Sequence, residues 1–369
     1  MKKIAIIGGG LAGLSAGVEL AEQGMQVTLF ESRPILGGRA YSVLDKTTVD
    51  VIDNGQHLFM GCYHHTFDFF KKIGTFPLLQ FQNKMEVVFA TPEGKSFSLT
   101  CPNLPAPLHL LVGLLRLKTL SFKEKIQMIW MVQKVRALSE KDLEDLDALD
   151  CEQWLRSLKQ SESSIKNFWE PLIIATINET PQQSSAKMLA VVLREALLKK
   201  KQDSLMVLST VGLSDLYTQA SQKFIEDRGG QILTSSGVSK LLWNEEKIQK
   251  MILHSGEEKN FDNYVCALPP NELEKLFAHS ESHPFFSALQ EFEFSPIFSI
   301  NLWFDRPILN ETFIGFLDSP LHWIFKKGQI LGKASHYVSI VISAADFLKD
   351  KSHDDLLNMA LEEIHKALP

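Results

Sequence analysis

The chain has 369 residues, an apolar fraction of 45% and a formal net charge of −6. This length predicts two or three domains, and the apolar fraction is sufficient for a packed core. The small negative charge gives no reason to expect a nucleic acid partner. No apolar run is long enough to span a membrane. The four cysteines are scattered and form no C-x-x-C pair, which indicates free thiols in a reducing compartment.

The first part of the chain has the order of a dinucleotide-binding fingerprint: strand, glycine turn, helix, strand, acid. Residues 3–7 predict a buried parallel strand, and residues 27–30 predict a second one. Between them lie the residues that we assign to cofactor binding: Gly8, Gly10, Leu11, Ala12 and Gly13. Glu31 follows the second strand, where a carboxylate accepts hydrogen bonds from a ribose. A signal peptide is the alternative, and the immediate return to a second strand argues against it.

Each glycine of this turn has a physical reason. Gly8 permits a tight turn, Gly10 lets the backbone approach a pyrophosphate, and Gly13 lets the helix lie close to the strand. The pyrophosphate is expected at the helix N-terminus, where free N–H groups and the helix dipole favour negative charge.

A second glycine pair follows the acid. Gly37, Gly38 and Arg39 form a motif that resembles that of FAD enzymes in the amine oxidase and phytoene desaturase superfamily. The resemblance implies FAD rather than NAD, with the glycines near the flavin side of the dinucleotide and Arg39 as a fixed cation. An ordinary surface turn with a solvated arginine is the alternative. The implied fold is α/β, with a Rossmann-like FAD-binding domain of the glutathione-reductase type and an interleaved α+β substrate domain.

A narrower resemblance rests on the stretch Asp53-Asn54-Gly55-Gln56-His57 and its continuation, Gly-Cys-Tyr at 61–63. It is similar to the signature of the hydroxysqualene dehydroxylases, also called squalene-associated FAD-dependent desaturases. Residues 169–172, 175–178 and 184–186 resemble a second stretch of that family. The resemblance implies reductive removal of the hydroxyl of hydroxysqualene to give squalene, a step of squalene and hopanoid biosynthesis. Polar and amide groups around Gly55, directly after a predicted strand, also suit a loop that faces the cofactor.

His57 and Gln56 are the predicted catalytic residues. His57 is a candidate to donate a proton to the substrate oxygen or to orient it; the alternative is a histidine that only bonds neighbouring backbone. Desolvation in a flavin pocket would lower its pKa, so we expect a neutral donor or a positioning role. His64 and His65 complete no recognisable ligand spacing with His57. We therefore predict no metal site and expect both to be solvated.

The rest of the pattern predicts interleaved domains. Residues 1–84 and 205–275 are assigned to the FAD-binding domain, and residues 85–204 and 276–369 to the substrate domain. Residues 85–99 predict a hairpin, and residues 213–227 predict a helix of the returning FAD-binding domain. The superfamily resemblance implies that Val238 contacts the adenine end of FAD through its backbone; a plain strand residue is the alternative.

Two further expectations concern the later chain. The predicted helix 185–199 has apolar positions, Met188 and Leu198 among them, that belong to a core or, by the resemblance, line a hydrocarbon tunnel. A final helix is predicted at 354–368, before Pro369. The closing Gly-Asp segment of the family is not found, which implies a fragment or an incomplete cofactor site.

Residues 102–136 combine an apolar run at 108–117 with an excess of basic residues. The pattern predicts a helical segment that lies on a membrane surface, with Leu111, Leu114 and Leu115 as docking residues. A helix buried between the domains is the alternative. The implied substrate is a long-chain isoprenoid, and the implied location is the cytoplasmic face of the cell membrane. The electron donor is not identified by the sequence.

Two other functions stay open. The same glycine motifs serve a carotenoid or phytoene-type desaturase, in which the hydride moves to the flavin. A non-catalytic isoprenoid-binding protein that has lost its flavin is of another class. Purified protein that stays colourless after refolding with FAD would favour that class.

Overall fold

The computed structural model describes residues 1–244, 247–277 and 284–368. It divides into two compact units, each assembled from separated segments of the chain. The first unit contains Met1–Asn54, His65–Leu78 and Val211–Phe294. The second unit contains Gly55–His64, Leu79–Thr210 and Ser295–Pro369.

A four-stranded parallel sheet forms the core of the first unit. Its strands, in spatial order, are Gln231–Leu233, Gln26–Phe30, Lys3–Ile7 and Asn263–Cys266. The two central strands are almost wholly buried, as expected for a parallel sheet with helices on its faces. The helix Leu11–Glu22 connects them. The predicted order of strand, turn, helix and strand is confirmed, and so is the α/β class.

Smaller elements complete the first unit. The predicted helix of the returning segment is Leu213–Glu226. Three antiparallel strands follow it, Val238–Asn244, Lys247–Leu253 and Glu258–Lys259. A hairpin pairs Ser42–Leu44 with Val51–Asp53. The remaining helices are Pro270–Leu276, Pro284–Leu289 and the 3₁₀ turn Phe76–Leu78, and the helix His64–Lys72 begins at the last residue of a second-unit segment.

A six-stranded sheet organises the second unit. Its spatial order is Phe298–Trp303, Tyr337–Ile342, Trp323–Phe325, Phe313–Phe316, Glu86–Ala90 and Ser96–Thr100. All neighbours are antiparallel except Phe313–Phe316 and Glu86–Ala90, which run parallel. The pairing of the last two strands confirms the predicted hairpin. A smaller sheet contains Phe59–Met60, Met206–Ser209 and Leu79–Phe81.

Helices make up most of the remaining second unit. The α-helices are Leu108–Arg116, Phe122–Ala137, Glu140–Asp145, Cys151–Ser157, Glu162–Ser164, Glu170–Ile177, Ala186–Val192, Lys327–Ile330 and His353–Ala367. The π-helical segments are Ile165–Trp169 and Leu193–Leu198. The 3₁₀ turns are Leu146–Ala148, Lys201–Ser204 and Ala345–Leu348.

The segment 102–136 is divided into two helices rather than continued as one. Leu108–Arg116 ends before the second helix starts at Phe122. The new start is fixed by Ser121 and Glu124: the Glu124 carboxylate accepts from the Ser121 N–H at 2.7 Å, and the Ser121 hydroxyl accepts from the Glu124 N–H at 3.3 Å. This capping box satisfies N–H groups that a helix start leaves free.

The compact units change at residues 54/55, 64/65, 78/79, 210/211 and 294/295, whereas the predicted domain boundaries fall at 84/85, 204/205 and 275/276. The assignment of these segments to FAD and substrate domains stays a prediction. Residues 278–283 and Pro369 of the predicted segment 276–369 lie outside the described residues. Within the described ranges, no helix combines the length and the apolar character that crossing a membrane requires.

Candidate functional site

The turn at residues 8–13 is formed by backbone in close contact. Gly8 has a φ of +107°, in the region that favours glycine. A Cβ on Gly13 would stand 1.9 Å from the carbonyl oxygen of Gly8, so the helix approaches the strand as the sequence predicts. The nearest atom to a Cβ on Gly10 is the Gly38 Cα at 3.7 Å. Gly10 is therefore free of crowding by the protein, and its contact with a pyrophosphate stays a prediction.

The helix Leu11–Glu22 begins with N–H groups that have no partner in the helix. Its first intrahelical bond runs from the Leu14 N–H to the Gly10 carbonyl oxygen at 2.9 Å. Leu11 and Ala12 are exposed at this end. Unpaired N–H groups and the helix dipole together make this end suitable for an anion.

Glu31 holds the turn, and its contact with a ribose stays a prediction. It is buried, and one carboxylate oxygen accepts from the Gly9 N–H at 2.7 Å. The other accepts from the Arg33 N–H at 2.8 Å and from the Ser32 hydroxyl at 3.2 Å. A carboxylate has about four acceptor positions, so these bonds leave room for one more donor. The role of Glu31 is thus partly structural, which the motif alone does not indicate.

The second glycine pair lies against the first turn. The Gly37 N–H donates to the Gly9 carbonyl oxygen at 2.9 Å, and a Cβ on Gly38 would stand 2.9 Å from the Gly10 Cα. The two motifs therefore form one continuous backbone surface. Arg39 is exposed, and the part of the chain that the structure describes supplies no ion-pair partner for its guanidinium. Its role as a cation toward the cofactor stays a prediction.

Two residues that sequence reasoning missed support the glycine pair. The buried Tyr217 donates its hydroxyl to the Gly37 carbonyl oxygen at 2.9 Å, and burial raises the pKa of this tyrosine. Arg33 donates to the Gly38 carbonyl oxygen at 3.0 Å and stacks on the Tyr41 ring at 4.5 Å. Tyr217 is 180 positions from Gly37, so no local pattern could have identified it. Arg33 lies within the motif and could have been considered.

Val238 is placed in the core of the first unit. It is 8% exposed and belongs to a cluster with Ala5, Ile7 and Phe30 of the central strands. Its side chain therefore lies in the core next to the strand Lys3–Ile7, which leads into the turn at residues 8–13 (the nucleotide turn). A backbone contact with the adenine end of the cofactor stays a prediction.

The stretch 53–57 passes from the first unit to the second. In the first unit, Asp53 accepts from the Leu213 N–H at 2.9 Å and from the Ser42 hydroxyl at 2.6 Å, so it joins the hairpin to a helix start. In the second unit, a Cβ on Gly55 would stand 3.3 Å from the Ser299 hydroxyl oxygen. The contact of Gly55 with the cofactor stays a prediction.

Gln56 and His57 both line a cavity of the second unit, but they differ in burial. Gln56 is 8% exposed; its Nε2 donates to the His57 carbonyl oxygen at 3.0 Å. Its Oε1 is buried and has no hydrogen-bond partner among the described residues. His57 is exposed, so the protein by itself does not supply the desolvation that we expected there. The catalytic roles of both residues stay predictions.

The other two histidines lie apart from this arrangement. The exposed His64 places its Nε2 3.2 Å from the buried Asp203 carboxylate, and His65 is exposed. No group of three or more metal-ligating side chains occurs in the ranges 1–244, 247–277 and 284–368.

The cavity has a volume of about 340 Å³ and an almost entirely apolar wall. The six-stranded sheet contributes Val87, Phe89, Phe97, Leu99, Trp323, Phe325 and Val341. The helices contribute Leu110, Leu114, Met128, Met131, Val132, Val135, Pro171, Leu172, Ala175, Leu193, Leu197 and Leu198. Leu198 lines the cavity as expected, whereas Met188 is 49% exposed and does not. Trp169, Pro171, Leu172, Ala175 and Thr176 of the second signature stretch also belong to the wall.

The residues of the first unit fit the cofactor that the sequence predicts. The open position at Gly10 leaves space for a pyrophosphate, the free N–H groups of the helix start suit its charge, and Glu31 keeps an acceptor position for a ribose hydroxyl. These are the contacts that the dinucleotide fingerprint describes.

The chain is similar in sequence to carotenoid desaturases. It is 25% identical over 384 residues to a 15-cis-phytoene desaturase of Synechococcus elongatus, covering 100% of this chain and 80% of that protein. It is 30% identical over 302 residues to a zeta-carotene desaturase of Zea mays, covering 74% of this chain and 50% of that protein. The chain thus spans about half the length of the maize relative and four-fifths of the cyanobacterial one.

Solved structures show the same fold. An oxidoreductase from Methanosarcina mazei superposes with a TM-score of 0.79 at 17% identity, covering 100% of this chain and 85% of that one. Cyclohexylamine oxidase from Brevibacterium oxydans superposes with a TM-score of 0.72 at 14% identity, covering 100% and 81%. The model of the flavin containing amine oxidoreductase family matches residues 11–369. The chain therefore belongs to this family, and it is an oxidoreductase whose cofactor is FAD.

Proposed function

We propose that this oxidoreductase removes the hydroxyl of hydroxysqualene reductively to give squalene. The observation that carries the proposal is the apolar cavity whose wall includes Gln56, a buried residue whose Oε1 has no hydrogen-bond partner among the described residues. The chemistry of this cavity suits the substrate that the sequence resemblance implies.

The cavity favours a long hydrocarbon as substrate. Its volume of about 340 Å³ lies in the usual range of ligand pockets, about 300–1,000 Å³. Leucine, methionine, valine and aromatic side chains from four strands of the six-stranded sheet and from several helices form its wall. Such a wall favours the binding of a hydrocarbon, because binding removes the apolar surface of both from water. It offers very little to a charged amine.

Gln56 favours a hydrocarbon that carries a single hydroxyl. A buried carbonyl oxygen without a partner costs free energy, and a substrate hydroxyl that donates to it would remove this cost. A pure hydrocarbon would leave Oε1 unsatisfied. In the proposed complex, the substrate hydroxyl donates a hydrogen bond to Gln56 Oε1, and this bond orients the alcohol.

The reaction balances with one hydride and one proton. The allylic C–O bond breaks, the hydroxyl leaves as water after gaining a proton, and a new C–H bond forms at the same carbon. FAD, when bound and reduced, would be the two-electron donor that provides the hydride. His57, which lines the cavity beside Gln56, is the proposed donor of the proton or positions the alcohol. Because its side chain is exposed, it can regain a proton from solvent.

Desaturation of a carotenoid precursor is the second candidate. It is supported by the relatives, which are named for phytoene and zeta-carotene, both long isoprenoid hydrocarbons. In that reaction the hydride moves from substrate to oxidised flavin. The apolar wall suits both reactions, and only Gln56 Oε1, which has no hydrogen-bond partner among the described residues, favours the alcohol.

One paired assay separates the two reactions. The holoenzyme is incubated without oxygen with reduced FAD and hydroxysqualene, and with oxidised FAD and phytoene, and products are identified by gas chromatography and mass spectrometry. We expect squalene in the first arm and unchanged phytoene in the second. A desaturated product in the second arm, with no squalene in the first, would contradict the proposal and support the desaturase.

We further infer that the second unit docks on the cytoplasmic face of a membrane to collect its substrate. Leu108–Arg116 and Phe122–Ala137 line the cavity with Leu114, Met128 and Met131. The same helices expose other apolar side chains: Leu108, Leu115, Phe122, Ile126 and Trp130. One pair of helices therefore has an apolar side toward the cavity and an apolar side toward solvent.

The charge of this region suits anionic lipid. The basic residues are Arg116, Lys118, Lys123, Lys125, Lys134 and Arg136. Residues 102–136 contain a single acid, Glu124, so the six cations and this carboxylate leave a net charge of 6 − 1 = +5. Each cation near an anionic membrane contributes about 1 kcal/mol. Exposed apolar side chains flanked by cations are typical of a surface-bound helix.

The structure corrects the choice of docking residues. Leu114 is 5% exposed and lines the cavity, so it is not available to lipid, whereas its neighbour Leu115 is 48% exposed. Phe122, Ile126 and Trp130 recur every four positions and share one face of their helix. They are the residues to change.

Vesicle flotation tests the docking surface. We expect the wild type to float with vesicles of anionic phospholipid, and Phe122→Gln/Ile126→Gln/Trp130→Gln to remain unbound with its flavin retained. The matched control is Val43→Gln/Leu44→Gln/Val49→Gln, which changes three exposed apolar residues of the first unit. Equal flotation of the helix variant and the wild type would contradict the inference.

A further inference from the structure

A second cavity of about 350 Å³ lies in the second unit and has a polar character that the first lacks. Lys166, Glu170, Asp318 and His322 line it, together with apolar residues. Lys166 Nζ stands 2.8 Å from the Asp318 carboxylate. The apolar cavity and this polar cavity thus differ sharply in the ligands that they can accept.

The polar groups of this second cavity retain hydrogen-bonding capacity. The His322 Nδ1 accepts from the Ser343 N–H at 3.0 Å, which leaves the proton of the neutral imidazole on Nε2. Burial lowers the pKa of His322 to about 4, and burial raises the pKa of the Glu170 carboxyl. A hydrocarbon that entered this space would separate these groups from water without replacing its hydrogen bonds.

Three residues line both cavities: Phe89, Pro171 and Trp323. The Phe89 and Trp323 rings are in contact, with centroids 5.9 Å apart and planes inclined by 54°. They come from strands on either side of Phe313–Phe316 in the six-stranded sheet. The ring pair therefore stands between the apolar cavity and the polar cavity.

Gly315 makes this ring pair possible. It is the register partner of Phe89 on one side and of Trp323 on the other. A Cβ on Gly315 would stand 2.8 Å from two atoms of the Phe89 ring and 3.1 Å from the Trp323 ring. A larger residue would push the rings aside, because a Cβ needs more space than these distances give.

We propose that the Phe89–Trp323 ring pair, seated over Gly315, is the end wall of the isoprenoid site and sets the length of chain that the site accepts. This inference rests on the proposed binding of a linear isoprenoid in the apolar cavity. The wall keeps the hydrocarbon in apolar surroundings and away from Glu170 and His322. A longer chain is rejected because its end meets the two rings.

The test measures which hydrocarbon the holoenzyme retains. Wild type and variants are mixed with equal amounts of squalene and the longer phytoene in detergent, separated by gel filtration, and the retained hydrocarbon is quantified by mass spectrometry. A hydrophobic pocket that excludes one extra methylene discriminates by about 10–200-fold. We therefore expect Trp323→Ala to raise the ratio of phytoene to squalene by about tenfold or more.

Trp303→Ala is the matched control. Trp303 lies in the same sheet, stacks on Tyr337 with centroids 4.7 Å apart, and lines neither cavity. Its removal is expected to leave the ratio unchanged. Trp323→Ala is replaced by milder variants if its flavin content shows that it does not fold. Trp323→Leu and Phe89→Leu each remove one of the two rings and keep an apolar side chain.

The outcomes separate this inference from the proposed function. A wild type that retains neither hydrocarbon would overturn both. Retention of squalene with an unchanged ratio in Trp323→Leu and Phe89→Leu would overturn the end wall alone. A raised ratio in these variants, with wild-type behaviour in Trp303→Ala, supports the wall.

Discussion

In the first unit, the nucleotide turn is made of backbone; in the second unit, the apolar cavity is made of side chains. The turn depends on atoms that have no room to move, such as the Gly13 Cα beside the Gly8 carbonyl oxygen. The shape of the cavity depends on the summed volume of its lining side chains, whose positions in the chain range from Gln56 to Ser343. Backbone contacts tolerate almost no change, whereas apolar walls tolerate substitutions that conserve volume.

The difference has a consequence for function. A turn made of backbone binds the part that all dinucleotide cofactors share, so its sequence is recognisable in distant relatives. A cavity made of side chains determines which substrate enters, and the same wall can suit several hydrocarbons. Cofactor identity is therefore shown by the family, while the substrate stays a proposal.

The largest expected effect is that of Gly13→Ala. The new Cβ would stand 1.9 Å from the Gly8 carbonyl oxygen, and overpacking of this kind costs about 1–3 kcal/mol or more. We expect a lower urea midpoint and loss of flavin.

Gly10→Ala is expected to affect the cofactor alone. The nearest protein atom to the new Cβ is 3.7 Å away, so the fold should persist while flavin affinity falls. Wild-type FAD affinity in Gly10→Ala would mean that no pyrophosphate lies there.

Glu31→Ala should affect both stability and the cofactor. The sequence alone predicts weaker FAD binding with little change in fold. The structure changes this, because the Gly9 and Arg33 N–H groups would lose their acceptor. A buried donor left unsatisfied costs about 1–3 kcal/mol. Urea unfolding of the flavin-free protein should therefore shift, and Glu31→Gln, which retains an acceptor oxygen, should shift less. Unchanged stability in Glu31→Ala would contradict this role.

His322 should make the second unit sensitive to acid. Burial lowers its pKa from 6.5 to about 4, so the unfolded chain binds the proton first as pH falls. Stability is then lost between about pH 6.5 and pH 4, by up to about 3 kcal/mol. His322→Asn keeps an acceptor for the Ser343 N–H but does not titrate. We expect its unfolding free energy to fall less than that of the wild type between pH 7 and pH 5. Parallel losses would contradict the assignment.

The smallest effect is expected for Gln56→Leu. Loss of one neutral hydrogen bond costs about 0.5–1.5 kcal/mol, which weakens binding of hydroxysqualene about 2–10-fold. Squalene, which has no hydroxyl, should bind as before. Thr176→Val is the control, because this cavity-lining hydroxyl already donates to the Leu172 carbonyl oxygen at 2.7 Å. Equal losses for alcohol and hydrocarbon would show that Gln56 acts through packing.

The turn at residues 8–13 and the apolar cavity also differ in how far the local sequence predicts them. Strand, turn, helix, strand and Glu31 occupy the first thirty-one residues, so the nucleotide turn was predictable from local order. Gly37 and Gly38 follow soon after, and the helices predicted at 213–227 and 354–368 and the hairpin predicted at 85–99 are observed. Local periodicity and glycine spacing carry this information because the interacting residues are near in sequence.

Other features required the tertiary structure. The sequence showed that residues 108–117 are apolar, yet only packing decided that Leu114 lines the cavity while Leu115 faces solvent. Tyr217 supports Gly37 across 180 positions. Gln56 lines a cavity together with residues of distant segments, and its Oε1 has no partner among the described residues. Gly315 and its two rings come from three strands. Contacts between distant segments leave no periodic trace in the chain, so the fold alone determines them.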